Sequence, residues 1–274
     1  MADEYDLPRG ALMAGKRGLV MGVANHNSIA WGIAAQLAAQ GAQVGLAYME
    51  ANEKRVRPLG ESIGAKLYTT FDASSDASME AAFKVVEEAW GTMDFLVHAI
   101  AFAGPGQIKG SFVENATREA FAQALDISAY SFVDAARRAA AMMPAGGAMI
   151  TLTYLGSERA IPNYNTMGVA KAALEAAMRY IARDLGPKAI RVNAISAGAM
   201  RTLSLAGISG GRGMLAQGRA LSALKEDTSM EGVAGAALWL LSDLGRSTTG
   251  EIVHVDAGFH MMGLPSEEAP SNPP

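Results

Sequence analysis

The sequence predicts an α/β fold: a single domain built on a doubly wound parallel sheet flanked by helices. Three observations carry that prediction. Short apolar runs alternate along the 274-residue chain with longer segments of helical periodicity. Segments joined in that order form right-handed βαβ units. Half of the residues are hydrophobic and 30 are Gly, which is enough apolar material for a large core. Neither a linker nor an internal repeat interrupts the alternation. One domain over residues 1–263 is therefore expected, with the polar, Pro-rich LPSEEAPSNPP (264–274) as a disordered tail.

The elements follow in order. RGLVMGVA (17–24) is an apolar run ending past a Gly, a buried strand. SIAWGIAAQLAAQG (28–41) is Ala-rich, apolar at helical spacing and closed by Gly41, a helix with a C-terminal cap. QVGLAYM (43–49) is the second strand, and a helix near 51–63, a strand near 66–71 and a helix near 76–90 follow. MDFLVHAIA (93–101) is the fourth strand, a long helix lies within 117–143, and AMITLTYL (148–155) is the fifth strand. A helix over about 164–184 leads to IRVNAIS (190–196), and a helix at about 230–242 leads to EIVHVDAG (251–258).

Composition excludes several functions. The chain has no Cys, which removes disulfides, thiolate catalysis and Cys-ligated zinc. Its four His are scattered without metal-ligand spacing, so no metal is expected. A formal charge of −4 argues against nucleic-acid binding. MADEYDLPRG at the start is acidic and lacks the apolar core of a secretory signal. No apolar run approaches the roughly 20 residues that span a bilayer. A soluble, cytoplasmic protein is the expectation.

In such sheets ligands bind beyond the carboxyl ends of the strands, which selects the segments to inspect. After the first strand comes GVANHNSIAWG, which departs from the common GxGxxG pattern. Gly22 ends the strand, and Ser28 is placed to cap the helix through its hydroxyl. The helix N-terminus then presents N–H groups and a positive dipole end to a pyrophosphate, or is a plain turn. At the end of the second strand an acid would accept ribose hydroxyls and an Arg would favour a 2′-phosphate. Met49 is neither, Glu50 is one position late, and Lys54 and Arg55 fit a solvated helix equally well. Asp72, after the third strand, is an acceptor for an adenine amino group or a turn residue.

YLGSERAIPNYNTMGVAK (154–171) follows the fifth strand and holds Tyr154, Tyr164 and Lys171. If the helix begins at Tyr164, residues seven apart lie two turns apart on one face, so Tyr164 and Lys171 point the same way. A neighbouring ammonium lowers a tyrosine pKa, which primes a proton donor. Taken alone, the stretch reads as a half-buried aromatic at the helix start and a solvated lysine.

The motifs GVANHNSIAWGIA, HAIAFA, YLGSERAIPNYNTMGVAKAALEA, RVNAISAG and GEIVHVDAGF run in order from Gly15 to about Gly258. With them the chain resembles the bacterial enoyl-[acyl-carrier-protein] reductases, the triclosan-inhibited family within the short-chain dehydrogenase/reductase superfamily. Tyr–x6–Lys is the spacing of that family, whereas the wider superfamily uses Tyr–x3–Lys. The resemblance implies a Rossmann-like, homotetrameric enzyme that reduces the trans-2 double bond of enoyl thioesters with NADH, less readily NADPH, the acyl group arriving on acyl-carrier protein. It implies Tyr154, Tyr164 and Lys171 as the catalytic set. It places the cofactor on Gly22, Ser28, Ile29, Met49, Asp72, Ala73, Ile100, Lys171, and Met200, Arg201, Thr202, Leu203 and Ser204. The acyl group is implied near Ala103, Tyr154, Tyr164, Met167 and Met214. Met49 stands where relatives often carry Gln, and Ala199 and Met200 stand where Pro and Ile are frequent.

A carbonyl-reducing enzyme would need the lysine at position 168, which is Gly, and a catalytically silent regulator would have lost Tyr164 or Lys171. Residues 200–225 read as a substrate lid: apolar, interrupted by GISGGRG, and carrying Arg201, Arg212, Arg219 and Lys225 without an acid. Such a basic island on an acidic chain suits an acidic carrier protein.

Overall fold

The computed structural model describes residues 5–104, 106–207 and 210–263, so the tail expected over 264–274 lies outside the described residues. Seven strands form the sheet: β1 (Arg17–Met21), β2 (Gln43–Tyr48), β3 (Leu67–Thr70), β4 (Phe95–His98), β5 (Gly147–Thr153), β6 (Ile190–Ala197) and β7 (Ile252–Val255). All neighbours pair in parallel, in the order β3-β2-β1-β4-β5-β6-β7. Between the strands run α1 (Ile29–Ala39), α2 (Glu53–Ser62), α3 (Asp76–Trp90), α4 (Phe112–Asn115), α5 (Arg118–Leu125), α6 (Ser131–Ala141) and α7 (Thr166–Leu185). After β6 come α8 (Leu203–Ala206), α9 (Gly211–Leu221) and α10 (Met230–Leu241). No helix among the described residues is long and apolar enough to cross a membrane.

The central strands are buried on both faces, as a helix-covered parallel sheet demands, while the edge strands β3 and β7 are partly exposed. Alternation along β1 divides the core: Val20 packs with Ile33, Leu37 and Leu240 on one face, and Leu19 and Met21 pack with Phe83, Phe132 and Leu174 on the other. Each such fully buried aliphatic side chain contributes about 1.5–3 kcal/mol relative to exposure.

Strand order reverses between β1 and β4, and there the chain leaves the two strands in opposite directions and opens a crevice. Gly22 marks its floor. Its φ is +100°, and a Cβ there would sit 2.2 Å from the Ala99 carbonyl oxygen beyond β4. Gly22→Ala is therefore expected to cost about 1–3 kcal/mol in backbone strain. Thermal unfolding of the purified variant measures it; an unchanged Tm would show that the β1–β4 approach tolerates a methyl group.

The predicted strands and long helices are all present, with two revisions. The helix after β5 begins at Thr166, not 164, because Asn163 and Asn165 take positive φ values of 63° and 45° and break the helical path. The helix expected within 117–143 is α5 and α6 joined by a π-helical segment, Asp126–Tyr130. That extra residue turns the Ser128 hydroxyl onto the backbone of Phe102, accepting from its N–H at 2.9 Å and pinning the segment beyond β4. The short α4, capped by Ser111, has too few residues to show a period.

Candidate active site

A cleft of about 490 Å³ lies over the carboxyl ends of the strands, walled by the segments after β1, β2, β3, β4, β5 and β6. Gly22, Ser28, Ile29, Met49, Asp72, Ala73, Ile100, Lys171, Met200, Thr202 and Leu203 all line it, as do Tyr154, Tyr164 and Met214. Arg201 is exposed and outside the lining, and the side chain of Ser204 lies outside what is described. Two residues expected beside the acyl group, Met167 and Ala103, do not line the cleft. Met167 is buried behind Tyr164 in a small cluster with Ile108, Ala124 and Ala170, and Ala103 packs on that cluster. Helical geometry accounts for Met167: on the first turn of α7 it faces the core, not the cleft. Neither Phe102, although it lies within HAIAFA, nor Ile127 was expected from the sequence as a site residue; with Leu205 of the 200–225 segment they form an apolar wall from separate parts of the chain that share no period.

Ser28 precedes α1 in extended conformation, but its hydroxyl does not cap the helix. The oxygen instead accepts from the backbone N–H groups of Ala24 and Asn25, 3.0 Å each. The hydroxyl thus organises the loop and leaves the helix end facing the cleft, an arrangement suited to an anion. Asp72 serves the turn it belongs to: one carboxylate oxygen accepts from the Ser74 N–H (2.9 Å) and the Ser74 hydroxyl (2.7 Å). Those bonds hold its pKa below the usual carboxylate value. Met49 is 59% exposed at the cleft rim, and Lys54 and Arg55 are exposed on α2. Lys171 is the sole cation among the described lining residues, so no arginine stands where a ribose phosphate would require one.

The two tyrosines meet edge to face, with ring centroids 4.8 Å apart. Tyr154 follows β5 directly, while Tyr164 precedes α7 by two residues. The expectation that both Tyr164 and Lys171 sit on one helix is thus corrected; the turn brings Tyr164 over the cleft instead. Close approach is possible because Gly156 and Gly168 lack side chains. A Cβ at Gly156 would lie 2.3 Å from the Tyr164 ring, and one at Gly168 would lie 2.5 Å from the Gly156 carbonyl oxygen. A lysine at 168, as Tyr–x3–Lys requires, would collide with that backbone.

Burial governs the electrostatics. It raises Tyr164 far above its ordinary pKa, with Tyr154 and Glu175 adding to the effect. Tyr154 is pushed up to about 12 by burial and then by the Asp256 carboxylate. The expected lowering by a nearby ammonium does not occur; burial dominates both tyrosines. Both tyrosines are neutral donors across the working pH range. Lys171 is 5% exposed, donates to the Leu152 carbonyl at 2.7 Å, and is lowered to about 8 by burial against the opposing charge of Glu175.

The segment expected as a lid contains α8 and α9, and Leu203, Leu205 and Met214 line the cleft. Its basic island is smaller than the sequence implies. Asp227, just past the segment, holds Arg219 through paired contacts, one of them Nε to Oδ1 at 3.0 Å. Lys225 is exposed and donates to the Ala220 carbonyl at 2.8 Å, and the side chain of Arg212 lies outside what is described.

A doubly wound sheet with a glycine-floored switch point, an open helix end and a tyrosine–lysine pair across the cleft defines the short-chain dehydrogenase/reductase class. Comparison with known proteins narrows this. Residues 22–260 match the family described as Enoyl-(Acyl carrier protein) reductase. Enoyl-[acyl-carrier-protein] reductase [NADH] 2 of Rhizobium meliloti is 50% identical over 94% of this chain and 96% of its own. The crystal structure of the Anaplasma phagocytophilum reductase in complex with NAD has a TM-score of 0.91 at 49% identity, covering 95% of this chain and all of that one. That of the Bacillus cereus enoyl-acyl carrier protein reductase with NADP+ and indole naphthyridinone has a TM-score of 0.90 at 44% identity, covering 93% of this chain and all of that one. The chain belongs to the enoyl-(acyl carrier protein) reductase family.

Proposed function

We propose that this protein reduces the trans-2 double bond of enoyl thioesters carried on acyl-carrier protein, with NADH as cofactor, in the last step of fatty-acid elongation. The observation that carries the assignment of residues is the edge-to-face pair Tyr154–Tyr164 over the switch-point cleft, with Lys171 buried beside it. The cofactor fits the residues present: the close Gly22–Ala99 approach, the uncapped end of α1 and the long apolar cleft together suit a dinucleotide. Gly22, Ser28 and Ile29 would hold its pyrophosphate, Lys171 its nicotinamide ribose, and Met200, Thr202 and Leu203 its nicotinamide end. Asp72 and Ala73 would border the adenine. The nicotinamide, when bound, supplies the hydride that the β-carbon of the substrate takes up.

Negative charge then develops on the thioester oxygen. A neutral tyrosine hydroxyl in a dry site stabilises it by donating a hydrogen bond without reorganising. Tyr164, the more deeply buried of the two, is that donor, and Tyr154 orients the thioester from the strand end. A proton from solvent completes the α-carbon, so hydride and proton together add two hydrogens across the alkene. Leu203, Leu205, Met214 and Phe102 keep water from the acyl chain. Preference for NADH rests on the absence of a lining arginine among the described residues.

The assay is NADH and NADPH oxidation with crotonyl and longer trans-2-enoyl thioesters, with and without triclosan. Consumption of NADH with these substrates and inhibition by triclosan are expected; oxidation only with ketoacyl thioesters would overturn the assignment. A cytoplasmic homotetramer is part of the proposal, and sedimentation equilibrium of the purified protein tests its assembly. Carrier docking belongs to the exposed Arg201. Arg201→Glu is expected to raise KM for carrier-linked substrate several-fold at low salt and to spare a small thioester. Arg219→Glu breaks the contact with Asp227 and affects both substrates. Equal effects of Arg201→Glu on the two would remove the docking role.

A further inference from the structure

Glu175 is a carboxylate with no part in the chemistry above, yet it is only 5% exposed and lies one helical turn beyond Lys171 on α7. Burying a carboxylate is costly unless hydrogen bonds or charge offset it. One of its oxygens, Oε1, accepts from the Thr153 hydroxyl and from the Ser157 hydroxyl, each at 2.5 Å. Ser157 Oγ also lies 3.0 Å from the Tyr154 carbonyl oxygen, and Lys171 Nζ reaches the Leu152 carbonyl. Two side chains of α7 therefore grip the segment 152–157 on both sides of Tyr154.

We propose that Glu175 is a positioning residue for the reduction: its carboxylate holds the end of β5 beneath Tyr154 and keeps Lys171 an ammonium ion. This rests on the enoyl-reductase assignment. The groups that face Lys171 leave this task to Glu175. His98, from β4, is neutral: its ring lies between the hydroxyls of Thr151 and Ser131, and burial pushes it down to about 3. Tyr154 and Tyr164 are neutral donors, and Asp256, beyond β7, acts on Tyr154. Glu175 is the charge that opposes the burial of Lys171.

The sign follows. An ammonium with a pKa lowered to about 8 is present below that pH and lost above it. Without the Glu175 charge the loss comes earlier. Glu175→Gln keeps an acceptor for both hydroxyls and removes only the charge. Its basic limb in the pH profile of kcat/KM is expected to move down by about 1 unit, with activity largely kept at the acid side. Glu175→Asp keeps the charge and shortens the reach, so the limb stays and kcat falls. NADH affinity against pH, by fluorescence titration, is expected to show the same displacement in Glu175→Gln without any acyl substrate. An unmoved limb and an unmoved affinity profile in an active Glu175→Gln protein would overturn the proposal. Should that variant not fold, a displaced limb in Glu175→Asp, whose charge is intact, would overturn it equally. Failure of the wild-type protein to reduce enoyl thioesters would strike the assignment itself, while the NADH titration would still read the lysine.

Discussion

Tyr164→Phe is expected to lower kcat by about 10²–10³-fold, the loss that follows removal of one preorganised donor to a developing oxyanion. NADH affinity and KM are expected to stay within about twofold. The structural basis is that Phe retains everything except the hydroxyl. Its ring still packs on Ile108, Met167 and Ala170 and still meets the Tyr154 ring edge to face. Folding is therefore preserved, and the deficit belongs to the transition state. Single-turnover measurement with a trans-2-enoyl thioester separates the chemical step from release. A full rate in Tyr164→Phe would move the donor role to Tyr154, whose own Phe variant would then carry the deficit. The neutrality of both hydroxyls adds a further expectation: no tyrosine pKa appears in the rate profile at neutral pH, because burial raises both groups.

The second large effect is on binding. Lys171→Ala is expected to weaken NADH by about 10–100-fold, the equivalent of one hydrogen bond to a charged group, about 1.5–3 kcal/mol. Fluorescence titration measures it directly. Wild-type affinity is expected to decline as pH rises through about 8, where the ammonium is lost, and the Ala variant to show no such decline. Normal NADH binding by Lys171→Ala would refute the ribose role. The variant also removes the donor to the Leu152 carbonyl at the end of β5, so kcat is expected to fall as well.

Much of this was legible before any coordinates. Alternating apolar runs and helical periods located all seven strands, since a parallel sheet buried on both faces needs continuous apolar stretches. The chemistry-bearing stretch 154–171 was marked by its place after the fifth strand, and the family resemblance gave its residues their roles. Its geometry was not legible. Seven residues on a helix placed Tyr164 and Lys171 on one face, but two asparagines at positive φ start the helix later, and the turn delivers the tyrosine. The hydroxyl of Ser28 shows the same limit: position identified a cap, whereas the fold spends the hydroxyl on its own loop. Glu175 was invisible as a functional residue because a carboxylate four positions after a lysine on a helix is an ordinary surface pattern.

Taken alone, the order of residues determined the parallel α/β architecture and the strand ends where a ligand would bind, because periodicity is a local property that chain order preserves, and its motifs carried the family resemblance. Tertiary structure decided the protonation states and the contacts. Those depend on what is excluded from water and on which distant segments meet, as when β5, the turn before α7 and α7 itself converge on Tyr154, Tyr164, Lys171 and Glu175. Desolvation made the tyrosines neutral donors where proximity to a lysine predicted acids, and two glycines, 156 and 168, allowed the approach that no other residue type would permit.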